Sequence, residues 1–185
     1  MRIFYIITKI ICFPGAYMRG FWEQLTCRIL RLQVEPTGYM RMDEACGHVE
    51  HSLSKTQFSA YLMATGPGFM NFNIGFPLFL FGYVNLKYMG ITPWDSIPLF
   101  IVYIISMYVG VSMLCCCFPL TEDIINYLSF RPTTLNKNAF QVARDNFFLV
   151  LGFPFAAVTR VGAFLESTGI LFMLWVAFIV WSFVS

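Results

Sequence analysis

The hydrophobic pattern of the chain contains two long stretches without a charged residue. One of them, 97–118, runs for 22 residues, and an apolar helix of about 20 residues crosses the hydrocarbon core of a bilayer. It predicts a membrane span. The other, 57–86, is also free of charge but contains Gly66, Pro67 and Asn71. Glycine and proline weaken helical hydrogen bonding, so we expect a kinked or broken span there, with a helix break at these three residues.

The C-terminal part is hydrophobic as well, but its apolar runs are shorter. Residues 168–184 form a run of 17 residues, which is at the short limit for a span. The run at 147–158 has only twelve residues and predicts a re-entrant or packed helix. The alternative is that Arg160 is paired in the protein interior and that the helix continues toward Glu166. The pattern as a whole predicts an all-α protein with about 3–5 membrane-embedded helices.

The distribution of basic residues predicts the topology. Residues 1–55 contain seven Lys or Arg, 87–96 contain one, and 119–146 contain three. Because cytoplasmic loops of membrane proteins carry an excess of Lys and Arg, we place the N-terminal region and a 119–146 loop in the cytoplasm. Lys9 interrupts the N-terminal apolar run and no small-residue cleavage site follows it, so this run is interpreted as a retained segment.

Composition supports a membrane protein and excludes other classes. Hydrophobic residues make up 58% of the 185 residues and charged residues 12%, far from the composition of a soluble domain. The formal net charge of +2 provides no basic surface for nucleic acid. Six cysteines occur, three of them adjacent at 115–117, which does not suit a disulfide framework. We expect one membrane domain over 1–185, integral to a prokaryotic cytoplasmic membrane.

Both histidines of the chain lie in one short motif, His48-Val49-Glu50-His51. On a helix the two rings would share a face, and with a carboxylate or thiolate they would approach a tetrahedral zinc site. On a strand they would point in opposite directions. Because an isolated H-x-x-H is a weak metal signal, the alternative is a pair of polar rings at the membrane interface.

Arg19 and Glu23 lie one helical turn apart in a predicted helix over 14–32, which Pro14 starts. At this spacing the two side chains can pair. Inside a membrane-embedded bundle each would need the other, because an isolated charge there costs at least a few kcal/mol. The alternative is an incidental pair on a solvated or interfacial helix face.

An acidic pair follows the span at 97–118. Thr121 can cap a helix whose first turn holds Glu122 and Asp123, where the helix dipole favours negative charge. Stabilisation of the helix start is by itself a sufficient reason for the two acidic residues at these positions. A functional role would require Asp123 to lie inside the bundle.

Short motifs follow one another in order through residues 13–125. They are Pro14-Gly15, Leu25-Thr26-Cys27, Gly47-His48-Val49-Glu50-His51, Gly66-Pro67 with Asn71, and Phe118-Pro119 with Asp123. In this order the chain resembles membrane zincins related to site-2-type intramembrane metalloproteases. The resemblance implies a helix after Pro-Gly that carries H-E-x-x-H, with two zinc-binding histidines and a glutamate as general base. It also implies a third, acidic ligand in the later F-P-x-x-x-D segment.

The chain departs from the family at the residues that carry the reaction. The five H-E-x-x-H positions are Arg19-Gly20-Phe21-Trp22-Glu23, so both zinc histidines and the catalytic glutamate are missing. Arginine cannot ligate zinc. We therefore expect Arg19 and Glu23 to form a structural ion pair in the cavity, with Asp123 as a second acceptor for Arg19, and no catalytic residue.

These observations predict a polytopic membrane protein with a zincin-like core, a pseudoprotease without a cofactor. Its role would be that of a binding or structural subunit, with lipid, other membrane subunits or a transmembrane peptide as partners. The alternative is an active membrane metalloenzyme of the peptidase class, with zinc held by Glu23, His48 or His51, and Asp123. A transporter or channel is less favoured, because the charge-free spans contain no acidic relay.

Overall fold

The structure is a computed structural model that describes residues 2–34, 49, 51–52, 56–119, 121–129 and 138–185. Within these ranges the chain is mostly helical and contains no strand, only an isolated antiparallel bridge between Val34 and His51. The all-α prediction is thus confirmed. In chain order the helices are α1 (Arg2–Ile11), α2 (Phe13–Ile29), α3 (Gln57–Lys87), α4 (Ile97–Cys115), α5 (Thr121–Ser129), α6 (Ala139–Ser167) and α7 (Ile170–Val184).

Local signals in the sequence start several of these helices. The hydroxyl of Thr56 accepts a hydrogen bond from the backbone N–H of Ser59 and caps α3. At the start of α6, the side-chain oxygen of Gln141 accepts from the N–H of Asn138, as in a capping box. Gly169 has a φ of 72°, which glycine adopts without steric cost. It lets the chain turn sharply between α6 and α7.

Two helices of the described chain, α3 and α4, are long and apolar enough to cross a membrane. A third candidate arises if Ala156–Ser167 and Ile170–Val184, which meet at a bend of 79°, form one broken span. This is consistent with an integral membrane protein. One finer prediction is wrong. The helix at 147–158 is not a short one, because α6 continues past Glu166 to Ser167, as the alternative predicts, although Arg160 is exposed and not paired in the interior. Residues 119–146, which are predicted to face the cytoplasm, contain α5 and the beginning of α6.

The break predicted at Gly66, Pro67 and Asn71 is wrong as well, because α3 continues through Pro67 and Pro77 as one helix. Packing explains this outcome. Pro67 is buried, and a Cβ atom added to Gly68 would lie 2.0 Å from the carbonyl oxygen of Cys117. Neighbouring helices that pack this closely hold the backbone helical where the local sequence alone would interrupt it.

Helices α3 and α4 pack through three glycines. A Cβ atom at Gly110 would lie 2.3 Å from the backbone nitrogen of Phe79, and one at Gly82 would lie 2.4 Å from the carbonyl oxygen of Tyr103. At Gly75 the nearest atom would be 2.7 Å away. Small residues that let two backbones approach in this way are typical of helix packing in membranes.

Asn71 joins three helices at the centre of this bundle. Its side chain is fully buried, and Nδ2 donates to the carbonyl oxygens of Gly15 and Cys116, both at 3.0 Å. Gly15 in turn donates from its backbone N–H to the hydroxyl of Ser112 at 2.8 Å. These bonds fix α2 in the groove between α3 and α4 and so position the polar residues that α2 carries.

Candidate functional site

Glu23 lies on the buried face of α2 and is 1% exposed. One of its carboxylate oxygens, Oε2, accepts a hydrogen bond from the backbone N–H of Val49 at 3.3 Å. Val49 lies in the segment that carries the two histidines and is itself buried. The contact brings this segment, which lies between α2 and α3 in the chain, to Glu23.

Asp123 lies close to the same place and lines the same internal space as Glu23. It lies in the first turn of α5, as the sequence predicts, and its side chain is 7% exposed. Its Oδ1 atom lies 3.9 Å from Nε2 of His51. A functional role for Asp123 requires that its side chain lie inside the bundle. The structure meets this requirement, because Asp123 is buried and does not remain on a solvated helix end.

The ring of His51 is oriented by its backbone neighbour. Nδ1 lies 2.9 Å from the carbonyl oxygen of Ser52. A carbonyl oxygen can only accept, so this contact is a hydrogen bond when Nδ1 carries the proton. In that tautomer Nε2 presents its lone pair toward Asp123. A histidine that donates from one ring nitrogen to a carbonyl and offers the other is arranged as metal-binding histidines usually are.

Glu23, His51 and Asp123 form the group of possible metal ligands within the described residues. One ligand atom from each side chain lies within 4.8 Å of the others. One imidazole nitrogen with two carboxylate oxygens is a donor set that zinc accepts. These are three of the four residues that the sequence suggests as ligands; the fourth, His48, lies outside the described residues.

Arg19 lies beside this group but makes contact elsewhere. It is 3% exposed, and its Nη1 atom donates to Oε1 of Glu166 on α6 at 2.9 Å. Lys9 of α1 pairs with the same carboxylate oxygen. Among the described residues, the ion pair that Arg19 forms is the one with Glu166. Glu23 and Asp123 attract its charge without an ion-pair contact.

Arg19, Glu23 and Asp123 also line a common internal space. Its remaining walls come mainly from small or cyclic residues of α3 and of the segment before α5: Met63, Ala64, Pro67, Gly68 and Pro119. Pro67 thus contributes a wall to the site, whereas Asn71 lies at the contact of α2 and α4.

Cys27 is the nearby thiol, and its environment keeps it neutral. Burial raises the pKa of Cys27 to about 12, with a further contribution from the negative charges of Glu23 and Asp123. Its Sγ atom lies 3.8 Å from the sulfur of Met63. Cys27 is not among the donors that lie within 4.8 Å of one another, so it contributes to packing here.

The sequence interpretation assigns no role to Lys9 or Glu166. Each of them is a charged residue within an apolar run. Charges in such runs often mark polar sites inside membrane proteins, so both residues could have been recognised as candidates from the sequence. Their pairing has no local signature, because 157 positions separate them in the chain.

Comparison with known proteins does not add a relative. No protein-family model, no characterised protein and no solved structure matches this chain. Statements about family and function therefore rest on the residues and their geometry.

Proposed function

We propose that the chain is a zincin-like protein of a prokaryotic cytoplasmic membrane that has lost hydrolysis and holds a zinc-type cation as a structural centre. Glu23, His51 and Asp123 would be its ligands. The observation that supports this most directly is that donors from three separate parts of the chain lie within 4.8 Å of one another in the protein interior. A cation bound there would connect α2, α5 and the segment at 49–52.

Electrostatics also favours a cation at this place. Two carboxylates that approach each other in a low-dielectric interior repel, and a positive partner must offset the repulsion. Arg19 supplies part of this positive charge from a distance while its contact is with Glu166. A divalent cation would neutralise both carboxylates directly.

The loss of hydrolysis follows from what replaces the reactive residues of the resembled family. Gly20 stands where that family has its general base, and Arg19 stands at one ligand position. Glu23 and Asp123 are used as ligands in this proposal, so neither is left to move protons in a reaction. The proposed role is therefore that of a pseudoprotease, a binding or structural subunit that acts with other membrane subunits or a transmembrane peptide.

One observation favours a second candidate, an active membrane metalloenzyme. Among the described residues three side chains would hold the metal, and three protein ligands with an open fourth position are typical of catalytic zinc sites. Zinc in such a site supplies Lewis-acid polarisation of a carbonyl group. The two candidates share the metal and differ in whether a peptide bond is cleaved.

Metal analysis of the purified protein tests the proposal. We expect about one zinc per chain in detergent, and loss of zinc in Asp123→Asn and in His51→Gln. Asp95→Asn is the matched control, since Asp95 is an exposed acid in the loop before α4 and its replacement should leave the zinc content unchanged. Absence of zinc after exposure to zinc during purification, or zinc that persists in both site variants, would exclude the proposal. Cleavage of a transmembrane peptide that disappears in Asp123→Asn would favour the enzyme instead.

A further inference from the structure

Glu166 connects two cations that come from other helices. Its Oε1 atom accepts from Nη1 of Arg19 and pairs with Nζ of Lys9. All three side chains are buried, with exposed fractions of 4% for Lys9, 3% for Arg19 and 7% for Glu166. One carboxylate thus holds two positive groups from α1 and α2 against α6.

This arrangement determines where the guanidinium of Arg19 lies. Arg19 and Glu23 are one turn apart on α2, a spacing at which an arginine and a glutamate can pair. The guanidinium contacts Glu166 instead, although Glu23 and Asp123 line the same internal space as Arg19. If it turned toward these two acids, its donors would occupy the oxygen lone pairs that a metal needs, and its charge would repel a cation.

We propose that Glu166 is a positioning residue that holds Arg19 away from Glu23 and Asp123, so that its guanidinium does not compete with a divalent cation for the two acids. This rests on the proposed function, because it concerns the same metal centre. Glu166 is not a ligand itself. Lys9 is the second cation on Glu166.

The test compares zinc affinity in a series of variants. Glu166→Gln alone would leave two buried cations without their partner, so the informative variant is Lys9→Met combined with Glu166→Gln, in which only Arg19 loses its acceptor. We expect at least a tenfold weaker zinc affinity. Adding Arg19→Met should restore it, because no guanidinium then competes for the acids. Lys9→Met alone is the control, since it keeps the pair of Arg19 and Glu166, and should bind zinc as the native protein does.

A readout without metal separates this inference from the proposed function. In EDTA, the effects of Arg19→Met and Glu23→Gln on the unfolding midpoint should be only weakly coupled in the native background, where the two charges attract each other without contact. In the Lys9→Met and Glu166→Gln background the coupling should become much stronger, because Arg19 then pairs with Glu23. Equal coupling in both backgrounds, or unchanged zinc affinity in the double variant, would overturn the positioning role. A native protein without zinc would overturn the proposed function, while the coupling measurements would still decide where Arg19 lies.

Discussion

Arg19 donates to Glu166, which lies 147 positions later in the chain, at 2.9 Å, although Glu23 stands only one helical turn away on the same helix. The choice of partner is made by the tertiary fold, in which α6 packs against α3 and α5 and brings Glu166 to Arg19, and not by spacing along the sequence. As a result, one group of buried charges (Lys9, Arg19 and Glu166) lies next to a second group that contains one imidazole and two acids.

We expect Glu166→Gln to be among the most destabilising single substitutions in the chain. It leaves the buried charges of Lys9 and Arg19 without their carboxylate, and breaking a buried pair costs roughly 3–5 kcal/mol. Replacing Lys9 and Arg19 by Met in the same protein should recover much of the loss, since no orphaned charge then remains. Unfolding in detergent measures both. The nearby exposed Ser167→Ala is the control, and equal effects of this change and Glu166→Gln would show that Glu166 has no structural role.

Asn71→Leu should lower the free energy of unfolding by roughly 1–3 kcal/mol, because the carbonyl oxygens of Gly15 and Cys116 lose their buried donor. Asn73→Leu is a matched control on the same helix. Asn73 is exposed and its side chain bonds only locally, to the carbonyl oxygen of Phe69, so its replacement should have little effect. Identical melting temperatures for the two variants would contradict the bridging role of Asn71.

The close packing of α3 and α4 predicts different results at different glycines. Gly110→Ala places a methyl group 2.3 Å from the backbone of Phe79, so the helices must separate, at a cost of about 1–3 kcal/mol. Gly66→Ala meets no atom closer than 3.5 Å and should be neutral or slightly stabilising, because alanine favours the helix. Thermal unfolding in detergent distinguishes the two. A neutral Gly110→Ala would mean that the helices are farther apart than described.

Topology can be tested by cysteine accessibility. In a variant with Cys46 and Cys117 replaced by Ser, we expect a cysteine at Met89 to be labelled from outside and one at Asn138 from the cytoplasm, as the distribution of Lys and Arg predicts. Both positions are exposed in the structure. Labelling of both from the same face of sealed vesicles would reverse the assignment of one span.

The sequence predicts the apolar helices well, because a charge-free run of sufficient length has few alternatives in lipid. It fails at Pro67, where the penalty for proline is offset by packing that the local sequence does not contain. Glu23, His51 and Asp123 could be grouped in advance through the order of the motifs. Glu166 could not be assigned to Arg19, since residues so distant in the chain share no pattern until α6 packs against α3 and α5.

Zinc K-edge X-ray absorption of the purified protein tests the central claim most directly. We predict a first shell of nitrogen and oxygen at about 2.0–2.2 Å that includes at least one imidazole and no sulfur, because the donors are Glu23, His51 and Asp123 and Cys27 is not part of this group. The signal should be lost in Asp123→Asn. A sulfur shell at about 2.3 Å, or no bound zinc at all, would contradict the account.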